Sequence, residues 1–298
     1  MDSKEVEGMV ADMESYLRGK EMSEGGWKGH ASPSALAVGA AVVALHLAGK
    51  ETYASQIGQG AIWLEGCRRD DGSWGDSPTS CSSWVSTLFA YAALQLLDRP
   101  SLSSRDYLLK ALGGNFEQKL AGAIRTHYRA EPSFAEAVLL FCFVCGLLPE
   151  RDCRPRRFSK PHGLTAGYLA PAWASEDLFC AERCRSFFFS SPKSFTPSLL
   201  ERLQKLQATD GGFSASVPMT ALAVLSLCLT GYGSHEMVDK ACAYLCATQR
   251  KKGSWPIGAD LSLKLTCLGL RALGKEIANR HALTLRFRHR LAEAGAAE

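Results

Sequence analysis

One passage recurs along this chain and limits what it can fold into. A helix ends, a tight glycine turn delivers an aromatic residue, and an apolar helix of small residues follows. The clearest copy, LQKLQATDGGFSASVPMTALAVLSLCLTG, runs from Leu203 to Gly231. Others are LEGCRRDDGSWGDSPTSCSSWVSTLFAYAALQLL from Leu64 and LCATQRKKGSWPIGADLSLKLTCLGLRAL from Leu245. A weaker copy, YLRGKEMSEGGWKGHASPSALAVGAAVVALHLAG, starts at Tyr16. Glycine supplies the positive φ that such a turn needs, and Asp holds its corner by hydrogen-bonding to the backbone just beyond.

The spacing makes this a repeat array of helical hairpins. Trp27 and Trp74 are 47 residues apart, Phe213 and Trp255 are 42 apart, and the 139 residues from Trp74 to Phe213 equal nearly three periods. Two degenerate hairpins therefore belong in between, which gives about six in all. The pattern predicts an opening amphipathic helix over 5–19, then one from Ser32-Pro33 to about Leu47 with Pro33 in its first turn. The second hairpin spans about 53–66 and 80–97. Helices follow over 103–112, 116–128 and from Pro132 to near Pro149, with Gly113-Gly114-Asn115 as a break. A loop is expected over 150–165, an aromatic-rich helical pattern over 169–189, and two last hairpins over 198–232 and 236–274.

The second helix of each hairpin (ALAVGAAVVAL, STLFAYAALQLL, TALAVLSLCL, LSLKLTCLGL) is apolar nearly all round, which fits burial on every side. The first helices carry charge on one face. The expected fold is all-α, a single domain over residues 1–298 in which about six hairpins close an (α/α)6-type toroid with inner and outer rings.

Composition narrows the classes. With 46% apolar and 21% charged residues the chain can bury a large core, and a net charge of +4 is too small to argue for nucleic acid. Arg154-Pro155-Arg156-Arg157 and Arg250-Lys251-Lys252 read as solvated loops. Most of the eleven cysteines sit in apolar helical runs, as small core residues in a reducing compartment. Cys142-x-x-Cys145 lacks two further zinc ligands nearby, so no metal site is expected. The charged opening residues are unlike a signal peptide, and the longest apolar run, Ala35–Ala48, is shorter than a membrane span. A cytoplasmic protein is expected, with an outer surface that could touch a membrane if its substrate is a lipid.

The glutamine at the helix end, the Asp-Gly-x-Trp/Phe turn and the apolar helix after it resemble the superfamily of squalene-type cyclases and protein-prenyltransferase β-subunits. Gln207 to Phe213, Gln249 to Trp255, Asp71 to Trp74 and, loosely, Gly25 to Trp27 carry the resemblance, which covers most of the chain outside 110–195. It implies a structural role for Gln207, Gln249, Trp74, Phe213 and Trp255, tying neighbouring hairpins together. The family's chemical motifs are missing: no Asp-x-Asp-Asp acid, no Asp-Asp-x-x-Asp for magnesium and diphosphate, no Asp-x-Cys for zinc.

Chemistry in such a ring belongs at the mouth, where turns meet the N-termini of inner helices and unpaired N–H groups gather. Asp260 opens the last inner helix and could be its N-cap or a catalytic acid. Asp76 stands in the corresponding loop of the second hairpin. Glu136 lies in an apolar helix, where burial would suit it to acid work, or where it pairs with an arginine. His30 sits at the mouth position of the first hairpin as a general base or a loop residue. Trp84, Phe89, Tyr91, Tyr168 and Trp173 are candidates for an aromatic substrate lining, or core. The resemblance implies a small terpene-cyclase-like enzyme that cyclises or isomerises an apolar, isoprenoid-bearing molecule without cofactor. A non-catalytic lipid- or partner-binding ring and a cyclase of a non-terpenoid intermediate are the alternatives. Oligomeric state is left open.

Overall fold

The computed structural model describes residues 12, 15–23, 31–130, 132–153 and 197–258. The chain divides into two compact units, Met1–Ala31 with Asp260–Glu298, and Ser32–Ala259. In the first, residues 15–19 are helical, and the Lys20 ammonium lies 5.7 Å from the centre of the Tyr16 ring.

Among its described residues the second unit is all-α apart from one minimal two-stranded ladder. Its elements in order are α1 (Ala35–Gly49), α2 (Ala54–Cys67), β1 (Trp74–Gly75), β2 (Ser82–Ser83), α3 (Trp84–Leu96), α4 (Leu102–Ala111), α5 (Phe116–His127), α6 (Pro132–Val144), α7 (Glu150–Cys153), α8 (Pro197–Leu206), α9 (Val217–Leu229) and α10 (Glu236–Thr248).

Hydroxyl and amide side chains set the starts of five of these helices. Ser34, Ser83, Ser101 and Ser216 each accept from the backbone N–H three residues on, as does Asn115 at the start of α5. Each satisfies one donor that the first helical turn leaves unpaired. Pro33 is therefore outside α1 and not in its first turn: extended Ser34 is the cap, and Pro33 bridges to Pro256 instead. The Gly113-Gly114 break is a Schellman-type stop, with both glycines at positive φ and the Gly114 N–H donating to the Leu109 carbonyl at 2.7 Å.

The apolar helices pack on one another, as their sequence requires. α1 lies between α3 and α9, and α9 also touches α6. Phe89 of α3 stacks on Phe141 of α6 at 4.4 Å, both fully buried. The four apolar helices are thereby linked in a circuit, α1–α3–α6–α9. Burying each of those two rings is worth about 2–3 kcal/mol. Gly39 lets α1 and α3 approach: a Cβ there would lie 2.5 Å from the Phe89 carbonyl oxygen. The charged helices pack outside, α2 on α1 and α3, α4 on α3, α5 on α6, and α10 on α9 and α1.

Among the described residues the recurrent turn is one object built three times. In each, two backbone bonds close the loop: Arg69 N–H to Ser73 and Gly72 N–H to Arg69, Ala208 to Gly212 and Gly211 to Ala208, Arg250 to Ser254 and Gly253 to Arg250. The aromatic side chain is fully buried each time (Trp74, Phe213, Trp255), and both indoles donate to a carbonyl ten residues back, Leu64 and Leu245. Each turn seats on another outer helix. Gly72, Gly211 and Gly253 all have φ between 84° and 87° and abut carbonyls of Ser103, Lys240 and Gln59. Gln207 Nε2 donates to Met237 O on α10, and Gln249 Nε2 donates to Gln56 O on α2, both at 2.9 Å.

Candidate functional site

A cavity of about 520 Å³ opens where α1 and α3 begin. Its walls include the two N-cap serines, Ser34 and Ser83, with Asp76, Trp84, Tyr107, His127, Tyr128 and Ile257. The volume lies within the range of roughly 300–1,000 Å³ typical of small-molecule sites.

Asp76 reaches it because the second turn carries an insertion. Trp74 pairs with Ser83 and Gly75 with Ser82, so the chain leaves the turn, loops out and returns beside itself before α3 starts. Ser77 and Ser80 close that loop: Ser80 Oγ accepts from Ser77 N–H at 3.1 Å, and Ser80 N–H donates to Ser77 O at 3.1 Å. Asp76 is then held by Ser86, a buried residue in the first turn of α3, whose hydroxyl donates to Asp76 Oδ1 at 2.6 Å. A carboxylate at a helix N-terminus is favoured by the helix dipole.

A polar network stiffens the base of the insertion. Arg69 donates to the Ser80 carbonyl and, at 2.8 Å, to Ser82 Oγ. Ser73 Oγ lies 2.6 Å from Asp71 Oδ1 and 2.7 Å from Ser82 Oγ. Hydrogen bonds from the Ser73 hydroxyl and N–H hold the Asp71 carboxyl below the usual carboxylate range. Burial raises the Tyr107 phenol, and Asp71 raises it further. Asp71 is thus a turn former.

Aromatic rings make up another part of the wall. Trp84 and His127 meet edge to face at 5.1 Å, His127 and Tyr128 at 4.7 Å, and Tyr128 and Phe134 at 4.8 Å. A short extended segment forms the remaining edge. Ser34 N–H donates to Trp255 O and Val217 N–H to Ile257 O, both at 3.0 Å, so residues 255–257 satisfy backbone donors at the starts of α1 and α9.

Of the candidates named from sequence, Asp76 and Trp84 meet in this cavity. Phe89 and Tyr91 do not line it: Phe89 stacks inside the core on Phe141, and Tyr91 is buried edge-to-face with Phe116. Both lie further along α3, where every side of the helix is covered by packing. Glu136 is not at the mouth either. It lies on α6 with Oε1 3.6 Å from Arg125 Nε, both side chains largely buried, which is the arginine pairing and not a free acid. His30, Tyr168, Trp173 and Asp260 lie outside the described residues, as does the turn at Trp27.

Tyr107, Ser86, His127 and Tyr128 are residues that sequence reasoning passed over. Ser86 carries a signal, one turn into an inner helix beside the loop Asp. Of the other three, Tyr107 lies midway along α4, and His127 and Tyr128 close α5, in the stretch where the repeat is degenerate and gives no register.

Among the described residues, no three His, Cys, Asp or Glu side chains converge as a metal site needs, and Cys142 and Cys145 are buried. No helix among them is long and apolar enough to cross a membrane. No known protein family has a model that matches this chain, and no curated protein matches it.

Proposed function

We propose that the chain is a small terpene-cyclase-like enzyme that binds an apolar, isoprenoid-bearing molecule at this mouth cavity and isomerises or cyclises it by acid–base chemistry. The observation that carries the reading is the placement of one carboxylate, Asp76, against an aromatic wall at the N-termini of two apolar helices. The thrice-built turn and the segregation of apolar inner from charged outer helices support a six-hairpin ring as the finer architecture. In an isomerisation, Asp76 and His127 would between them give a proton to one alkene carbon, which leaves the positive charge on its neighbour, and take a proton from the carbon beyond that neighbour, so the double bond shifts with no net change in protonation. Aromatic faces favour the positive charge that develops in between. The cavity's main contribution is to hold a flexible chain in a reactive fold.

A second reading has its own support. Phe89 and Phe141 fill the space between α3 and α6, so a ring that binds a lipid or a partner protein without turnover fits the packed interior.

Product analysis by mass spectrometry separates the two. Purified protein is incubated with linear isoprenoid alcohols, diphosphates and squalene, with and without magnesium, beside Asp76→Asn. A rearranged product that falls at least about a hundredfold in Asp76→Asn supports the enzyme. A product that persists in the variant removes Asp76. Thermal stabilisation by one of these molecules without product favours the binding ring.

A further inference from the structure

We propose that the mouth cavity recognises an organic cation: an alkylated ammonium group carried by a largely apolar molecule. The inference rests on taking this cavity as the site, and it names the ligand's chemistry.

Three observations converge. The rings of Trp84, Tyr107, His127 and Tyr128 share one cavity, and neighbouring rings stand nearly perpendicular, at 83° for Trp84–His127 and 86° for His127–Tyr128. Edge-to-face rings turn their electron-rich faces in different directions, the arrangement that surrounds a bulky cation instead of stacking on a flat ligand. Among the described residues the only carboxylate in the wall is Asp76, oriented by Ser86, and no lysine or arginine lines the cavity. Arg69 reaches Ser82 at the edge, but it is spent on the Ser80 carbonyl and the Ser82 hydroxyl and is offset by neighbouring Asp71. The remaining polar wall consists of serine hydroxyls, among them Ser34, Ser83 and Ser86, which suit a head group needing few directed hydrogen bonds. An anionic head, such as a diphosphate, would meet Asp76 with no lysine or arginine among the described lining residues to neutralise it.

The test compares choline with 3,3-dimethylbutan-1-ol, which has the same shape without the charge, by ligand-observed NMR titration of the full chain. Choline is expected to bind at least about fivefold more tightly. Trp84→Leu and Asp76→Asn should each reduce that preference to less than twofold while leaving the neutral alcohol bound, which shows that the cavity is still formed. Equal binding of the two ligands, a preference untouched by both variants, or binding of neither would overturn the proposal. Equal binding would leave an apolar cavity, and with it the isoprenoid reading, standing. Isoprenoid turnover without choline preference would likewise remove the cation alone.

Discussion

The turns after α2 and α8 begin as copies and end differently. Both close through the same two backbone bonds, bury an aromatic residue, and offer that residue's N–H to a threonine one turn into the next helix. Trp74 donates to Thr87 Oγ1 at 3.0 Å and Phe213 to Thr220 Oγ1 at 2.9 Å. After α8, only Ser214 and Ala215 separate the aromatic residue from the N-cap, both forced to positive φ. After α2 the chain spends Gly75–Ser82 on the same journey and brings Asp76 to the cavity. Where the repeat is kept it fastens helices together, and where it is lengthened it brings a carboxylate to the cavity. The glutamine shows the same division. Gln207 and Gln249 each bind a carbonyl of another outer helix, while Arg68 stands at that position after α2 and the neighbouring Arg69 supports the insertion instead.

The largest expected effect lies in the kept turns. Gly253→Ala puts a methyl about 2.2 Å from the Gln59 carbonyl oxygen at a φ of 84°, so the turn must leave α2 or strain. We expect a loss of roughly 3 kcal/mol or more in urea unfolding. A loss below about 1 kcal/mol would mean that this turn does not fasten α10 to α2.

Gln249→Ala comes next. It strips a donor from the Gln56 and Gly253 carbonyls and should cost about 1–2 kcal/mol by the same measurement. The converse substitution, Arg68→Gln, should change stability by less than about 0.5 kcal/mol unless the insertion yields to it.

A small effect at neutral pH is expected at Tyr244, whose ring packs on Gly212 and whose buried hydroxyl has no partner among the described residues. Tyr244→Phe should be neutral or stabilising by up to about 1 kcal/mol. At high pH it becomes informative. Burial pushes the Tyr244 phenol up to about 12, the Cys242 thiol to about 12 and the Cys228 thiol to about 11. The folded state therefore keeps protons that the unfolded chain gives up. The stability from these groups is complete below their ordinary values, 9.0 for the thiols and 10.0 for the phenol, and is lost as pH climbs through 11 and 12. Urea midpoints should fall across that window, and more shallowly in Tyr244→Phe between about 10 and 12. Equal slopes would show that Tyr244 ionises as freely in the fold as outside it.

Much of this architecture was legible in the sequence. The helix ends at Gln207 and Gln249, the Asp-Gly corners and the all-apolar runs gave elements to within a few residues, because each is a local demand of backbone or burial. The local pattern puts Pro33 in the first turn of α1, whereas its long-range bridge to Pro256 keeps it outside. Asp76 and Trp84 could be found because the repeat marks where inner helices begin. Phe89 and Tyr91 could not be assigned to core or cavity, because a helix apolar on every side gives no phase. Tyr107, His127 and Tyr128 reach the cavity from α4 and α5, whose positions follow from packing that the degenerate middle of the sequence does not encode in its period.

The most direct test of the insertion's role replaces Gly75–Ser82 by the Ser-Ala that serves after α8, and follows product formation by mass spectrometry beside the unaltered chain. The account predicts a folded variant, since Trp74 and Thr87 remain, that forms no product while the unaltered chain does. A shortened chain that turns over substrate at the original rate would contradict it, because the carboxylate at the mouth would then be dispensable.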